Sequence, residues 1–518
     1  MSATPCAPPA ATLALQDRLF HETVLARSRV YAVRPPTPFE KIDVGDGVSA
    51  FIKREDKGPM HAYKWRGAFN RMATLTPAER ARGVVCASAG NHAQGVAIAA
   101  RKLGCKAAIF MPMPTPRMKR AAVAEHGGDA VEIILVGDSY DEAAAAAKQA
   151  CRERGAVFVH AYDDLYTMAG QGTLADEIVM SGEGPFDVAY LSIGGGGMCA
   201  AVACYLKRFW PDIRIVGVEG EGQASMKAAV AAGHPVELAA LDIFCDGTAV
   251  RKAGENTFPL CRDLVDEFIT VSNAQVCSAI RLLWDRRRSV VEPAGALGLA
   301  GLLSQRDRLR GKKVLTVATG ANMDFSLLAL IAAEAGANGK VRRHIRFTLP
   351  EQSGGLLALL ETAFTSQDIL DFQYGKTDGA VGHPVMGFDA TDAEFAALHA
   401  TLGAAGIAYA DISDHADVDF RIIRYDPRTF RHPLFIRLQF PERAGALRDF
   451  LTLIRGTASI CYFNYLYTGE RVGRALLGFE FDSAEKRALL LELLRNSARF
   501  RDAYAPLEAE VLGRMLAV

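Results

Sequence analysis

The sequence predicts an α/β domain on a mostly parallel sheet, followed by two smaller α+β repeats. Between residues 48 and 330, short apolar or β-branched runs alternate with alanine-rich helical stretches, the pattern of parallel strands joined by crossover helices. Polar or glycine-rich segments directly follow several of those runs, at the strand ends where ligands collect in such sheets. Beyond residue 340 the pattern changes and then repeats itself at an offset of 91 residues, the mark of a duplicated unit.

Taken in order, residues 1–21 are rich in alanine and proline and carry no positive charge before Arg18. They read as a disordered lead-in, not a secretory signal. Strands are expected at 48–52, 83–86, 107–110, 131–136, 156–159, 188–191, 213–218 and 313–317, each a short apolar run followed by a helical stretch. Ala335-Gly336-Ala337-Asn338-Gly339 is a natural linker.

Composition excludes several classes of function. Lys plus Arg and Asp plus Glu both number 59 among 518 residues, so no net field favours nucleic acid or an anionic membrane. No apolar run reaches the length of a membrane span. The ten cysteines include no Cys-x-x-Cys pair, which argues against a disulfide framework and against a metal site of zinc type. A small-molecule protein of the reducing cytoplasm fits.

Four segments carry chemistry. Lys64 lies between Tyr63 and Trp65, past a Lys57-Gly58-Pro59 turn and before a helix expected from Gly67. Apolar walls would ease its deprotonation, as a Schiff-base lysine requires; a stem laid along the aromatics with its head in water is the plainer alternative. Ser88-Ala89-Gly90-Asn91-His92-Ala93-Gln94-Gly95 follows one strand and opens a helix expected over 96–103. Its backbone N–H groups suit a carboxylate, although Ser88 and Asn91 serve equally as turn and cap residues. His92 has no acidic neighbour in sequence and reads as a loop residue, not a base. Gly194, Gly195, Gly196 and Gly197 stand between a strand and a helix beginning at Met198, where backbone amides can wrap a phosphate. Neither a Walker loop nor dinucleotide-type glycine spacing is present. Thr319, in Thr319-Gly320-Ala321-Asn322, puts a neutral hydroxyl at a strand end, as a ligand contact or a helix cap.

Lysine, anion turn, tetraglycine and strand-end hydroxyl occur here in one order. With Lys53-Arg54-Glu55-Asp56, Ala169-Gly170-Gln171-Gly172-Thr173, Asp246-Gly247-Thr248-Ala249-Val250 and Glu292-Pro293-Ala294-Gly295-Ala296, the chain resembles the fold-type II (tryptophan synthase β-like) pyridoxal-phosphate enzymes. Within them it is similar to the biosynthetic threonine dehydratases. The resemblance implies a catalytic domain over residues 22–335 with pyridoxal 5′-phosphate held covalently by Lys64. Asn91 would bond the ring's 3′-oxygen, Gly194 to Gly197 and the Met198 amide would cradle the phosphate, and Thr319 would face the pyridine nitrogen. Ser88 to His92 would hold the substrate. Thr319 departs from the serine usual in the family, and Trp65 from a smaller apolar residue, which bears on the pocket wall. Ala89 stands where racemases of this fold carry a proton-donating serine, which disfavours racemisation. The implied reaction is deamination of L-threonine, with L-serine a plausible side substrate.

The repeats span 341–425 and 432–514. Ile345-Arg346-Phe347-Thr348-Leu349-Pro350-Glu351 matches Ile436-Arg437-Leu438-Gln439-Phe440-Pro441-Glu442, and the same gap-free offset of 91 aligns Phe372 with Phe463, Glu394 with Glu485 and Leu398 with Leu489. Each half reads strand, turn, helix, strand, strand, helix, as in a ferredoxin-like sandwich. This resembles the paired ACT-like regulatory domains of long threonine dehydratases, which implies isoleucine as inhibitor, valine as activator and a homotetramer. Tyr374 and Tyr465 are effector-site candidates and equally fit half-buried strand positions. Two other readings compete: a serine/threonine dehydratase without isoleucine control, and a pyridoxal-binding sensor without turnover.

Overall fold

The computed structural model describes residues 9–335 continuously, then 340–350, 355–364, 369–373, 381–413, 431–441, 450, 453–454, 457–466, 472–497, 500–501, 503–509 and 511–512. The chain divides into two compact units, Met1–Asp324 and Phe325–Val518.

In the first unit the order is α1 (Ala10–Tyr31), β1 (Phe39–Ile42), β2 (Ser49–Arg54), α2 (Trp65–Ala73), α3 (Pro77–Arg82), β3 (Val84–Ala87), α4 (Asn91–Leu103), β4 (Ala107–Met111), α5 (Arg117–Gly127), β5 (Val131–Leu135), α6 (Tyr140–Arg154), β6 (Val157–Phe158) and α7 (Leu165–Met180). It continues through β7 (Val188–Ser192), α8 (Gly197–Phe209), β8 (Arg214–Gly220), α9 (Ser225–Ala232), α10 (Thr257–Leu264), β9 (Glu267–Val271), α11 (Asn273–Arg287), α12 (Pro293–Ser304) and β10 (Lys313–Ala318). These strands form two sheets, ordered β1-β2-β10-β7-β8-β9 and β5-β4-β3-β6. Every pairing is parallel except β1 with β2. The expected alternation is therefore present, but it is divided between two sheets, each with its own apolar core.

Two expectations at the ends of this unit are corrected. Residues from Ala10 form a long helix where a disordered lead-in through residue 21 was expected. Leu19, Thr23, Ala26 and Val30 recur at helical spacing and are buried, and this face holds α1 to the domain. The unit ends at Asp324, before the expected boundary at 335, because α13 (Leu327–Glu334) groups with the C-terminal unit.

The second unit continues with β11 (Val341–Pro350), α14 (Gly355–Ala363), β12 (Ile369–Gln373), β13 (Val381–Gly382), β14 (Val385–Ala390), α15 (Asp392–Ala404) and β15 (Ala408–Asp411). The second half follows as β16 (Leu434–Pro441), β17 (Ser459–Leu466), β18 (Val472–Glu480), α16 (Ala484–Asn496) and β19 (Tyr504–Pro506). The halves build equivalent antiparallel sheets, with β12-β14-β11-β15 corresponding to β17-β18-β16-β19. Ile345 pairs with Met386 as Ile436 pairs with Leu477. The register shift between Ile369 and Asp371 recurs between Ile460 and Tyr462. Each half keeps its own core.

The offset of 91 does not hold to the end of the repeat. Thr391 caps α15 and Ser483 caps α16, one residue beyond the gap-free alignment. Leu398 accordingly corresponds to buried Leu490, while Leu489 is 45% exposed. The closing strands β15 and β19 extend each half beyond the expected pattern. The Pro-Glu-x-x-Gly turns at 350–354 and 441–445 extend past their prolines into residues outside the described ones, and Tyr374 lies outside them too. Tyr465, in β17, pairs with Ala475 of β18.

Candidate active site

The N-terminus of α2 begins at Trp65, with Lys64 at its cap, two residues before the expected start. Tyr63 N–H donates to the Thr319 carbonyl at 3.1 Å, so the lysine is anchored to the end of β10. Its Nζ donates to the Ala161 carbonyl at 3.2 Å, and no carboxylate forms a salt bridge with it among the described residues. Burial brings the ammonium down to about 8, against the opposing pull of Glu292. A Cβ on Gly95 would lie 3.1 Å from the Lys64 carbonyl carbon, so this glycine lets α4 pass against the lysine backbone. Trp65, expected to bear on the pocket wall, belongs to the apolar core beneath it.

A buried charge network fixes α2 from below. Arg66 reaches Glu55 at 2.9 Å and Glu177 at 2.5 Å, and Lys53 reaches Glu177 at 2.5 Å. The two cations and two carboxylates join β2, α2 and α7 with no net charge. Burial lowers Lys53, whereas Arg66 and Lys53 hold Glu55 below the carboxylate range despite its burial. Gly170 permits this approach of α2 and α7, since a Cβ there would lie 2.5 Å from the Arg66 carbonyl oxygen.

The tetraglycine joins β7 to α8 beneath Tyr162. A Cβ on Gly195 would lie 2.3 Å from the Tyr162 ring, one on Gly197 2.6 Å from its carbonyl oxygen, and one on Gly194 2.9 Å from the Thr248 backbone. Gly196 has φ +92, the left-handed region that glycine reaches without strain. Thr257 Oγ1 braces the turn by donating to the Gly195 carbonyl at 2.5 Å. The first N–H groups of α8, from Gly197 and Met198 onward, have no acceptor within the helix and carry the positive end of its dipole.

Asn91 begins α4 opposite. Its Nδ2 donates to Glu292 Oε1 at 2.7 Å, and its Oδ1 accepts from Asn322 Nδ2 at 2.8 Å. Burial chiefly, with Asp246 nearby, pushes the Glu292 carboxyl up to about 8. Thr319 Oγ1 donates to the Ala294 carbonyl at 3.2 Å; no helix begins there, so it is not a cap. One cavity is lined by Lys64, Asn91, Gly194 to Gly197, Met198 and Thr319, with Tyr63, Tyr162, Gly247, Thr248 and Glu292 among the other walls.

The expected substrate turn is only partly gathered there: Asn91 lines the cavity, and Ser88, Ala89, Gly90 and His92 do not. Ser88 Oγ accepts the Gly90 N–H at 3.2 Å, a turn bond. His92 is corrected from loop to the first turn of α4, which starts at Asn91 instead of the expected 96. Its ring is buried with Nε2 2.9 Å from the Val159 carbonyl, and burial lowers it to about 3.

Comparison with known proteins agrees with this geometry. Residues 32–320 match the pyridoxal-phosphate-dependent enzyme family, and residues 431–503 match the C-terminal regulatory domain of threonine dehydratase. The biosynthetic L-threonine dehydratase IlvA of Burkholderia multivorans is 38% identical over 443 residues, covering 84% of this chain and 87% of its own. The chain belongs to the biosynthetic threonine dehydratases. The processed form of threonine deaminase isoform 2 from Solanum lycopersicum superposes with TM-score 0.59 at 37% identity, covering 64% of this chain and 95% of its own. Maize serine racemase superposes at 0.57 with 31% identity, over 60% of this chain and 95% of its own.

The dehydratase cavity fits the family's cofactor. It offers a desolvated amine that no carboxylate salt-bridges among the described residues, and a glycine turn at a helix N-terminus for a phosphate. It also offers a neutral hydroxyl at the end of β10. The sequence alone assigns no role to Glu292, Tyr162 or Thr257. Glu292 sits within a quoted motif, but its carboxyl meets Asn91 only through a contact 201 residues away in sequence. Tyr162 follows a two-residue strand and offers no periodic signal.

Proposed function

We propose that this enzyme deaminates L-threonine to 2-oxobutanoate and ammonia, the first step of isoleucine biosynthesis, with Lys64 as its catalytic residue. The carrying observation is that Lys64 and the tetraglycine line one cavity. When bound, pyridoxal phosphate supplies the electron sink for carbanion chemistry. Lys64 would hold the cofactor, and its buried amine would take the Cα proton of the substrate. Gly194 to Gly197 and the Met198 amide would hold the phosphate, and Asn91 would donate to the ring oxygen. Thr319 would offer a neutral hydroxyl to the ring nitrogen by turning its hydrogen from the Ala294 carbonyl, to which it now donates, and with no carboxylate in that place transamination would be disfavoured. The turn Ser88 to His92 receives the substrate carboxylate, with Asn91 its member in the cavity. Ala89 carries no proton donor, which supports elimination over racemisation. The C-terminal repeats take isoleucine as inhibitor and valine as activator, with Tyr374 and Tyr465 near the effector site. The assembly is a homotetramer in the cytoplasm; no helix among the described residues is long and apolar enough to cross a membrane. In the test, 2-oxobutanoate release from L-threonine is followed with and without isoleucine. Turnover that isoleucine does not change would favour the dehydratase without feedback control.

A further inference from the structure

The hydrogen bonds around Asn91 fix which way its amide faces. Asn322 Nδ2 donates to the Met60 carbonyl at 2.6 Å and to Asn91 Oδ1 at 2.8 Å. A backbone carbonyl can only accept, so the Asn322 atom beside it is the nitrogen, and the Asn91 atom facing that nitrogen is the oxygen. Asn91 Nδ2 is thereby turned to Glu292 Oε1, 2.7 Å away. Of its two hydrogens Glu292 takes one; the other is left for whatever occupies the cavity that Asn91 lines.

Glu292 is itself held in place. It is 3% exposed, and its backbone N–H donates to the Gly320 carbonyl at 3.0 Å. A Cβ on Gly320 would lie 2.4 Å from Glu292 Oε1, so glycine at 320 leaves the carboxyl its room. Neither Glu292 nor Asn322 needs to touch the reacting atoms for this arrangement to matter.

We propose that Glu292 and Asn322 are positioning residues for the deamination: they clamp the Asn91 amide from both ends so that its spare hydrogen meets the ring oxygen of the bound cofactor. The proposal rests on the cofactor occupying this cavity as the functional reading places it. Glu292 acts by accepting a hydrogen bond, a capacity that glutamine keeps and leucine loses.

The test is a double-mutant cycle on the dissociation constant of pyridoxal phosphate, with the visible absorbance band of the bound cofactor as a second readout. Asn91→Ala and Glu292→Leu should each weaken cofactor binding about tenfold, as expected when a buried polar group loses its partner. The double variant should be no weaker than either single one. Glu292→Gln should stay within about twofold of wild type with an unshifted band, whereas Glu292→Leu should shift the band as Asn91→Ala does. Thermal unfolding of the cofactor-free variants identifies any that do not fold. Should Glu292→Leu be one of them, Asn322→Leu takes its place in the same cycle with the same expected non-additivity. Additive effects, or wild-type affinity and band in the leucine variants, would overturn the proposal. Turnover of L-threonine by the wild type is scored separately, so an enzyme that binds cofactor but releases no 2-oxobutanoate would sink the functional reading while the cycle still decides the clamp.

Discussion

Lys64 and Glu292 share one cavity wall, and burial moves their ionisation in opposite directions. Lys64 comes down to about 8, so in cofactor-free protein its acylation by a small reagent should rise with pH through a midpoint near that value. A midpoint above 10 would mean an ordinary solvated lysine. Glu292 moves from 4.5 up to about 8. The folded state therefore keeps a proton that the unfolded chain has already lost, and stability falls as pH rises through that window. Thermal unfolding of cofactor-free wild type and Glu292→Gln between pH 5 and 8.5 should show the wild type losing ground to the variant as pH rises; parallel curves would contradict the assignment. The lysine stood out in the sequence only together with the anion turn, tetraglycine and strand-end hydroxyl downstream, since two flanking aromatics alone fit a solvated lysine better. Glu292 did not, because its partners come from α4 and from the segment after β10, distances that no local pattern encodes.

Among elements, α16 sets the register of the second repeat at its C-terminal end. Leu490 faces the core of the second repeat, whereas Leu489 is exposed. Leu490→Ala should cost about 2–5 kcal/mol and Leu489→Ala under about 0.5 kcal/mol in chemical denaturation. The reverse order would restore the gap-free offset. The sequence could not display the one-residue shift, since Leu398 meets a leucine at either register and Glu394 meets a glutamate only in the gap-free one; the capping of α15 by Thr391 and of α16 by Ser483 decides between them. Strands β1 and β9 escaped notice for a related reason. Phe39-Glu40-Lys41-Ile42 carries two charges, and Glu267 to Thr270 is only half-buried at a sheet edge. Beneath the lysine, replacing Glu177 by Leu strands Arg66 and Lys53 without their shared carboxylate. A loss of about 3–5 kcal/mol is expected, and a change below about 1 kcal/mol would show that the network does not anchor α2.

Across the whole molecule, the proposed active site lies in one compact unit, Met1–Asp324, and the match to the threonine dehydratase regulatory domain lies in the other, Phe325–Val518. The first collects a lysine, a glycine turn, an amide and a hydroxyl from the ends of different strands; the second repeats one small sheet twice in matching register. Parallel topology was readable from alternating runs, but the division into two sheets was not, because β6 and β7 differ in partner and not in local pattern. Lys64 is the residue on which the proposed chemistry depends. Purified protein and Lys64→Ala are compared by absorbance between 300 and 500 nm and by 2-oxobutanoate released from L-threonine. A visible cofactor band and turnover in the wild type, both absent from the variant, are the predicted result. A variant that keeps the band and the turnover would contradict it.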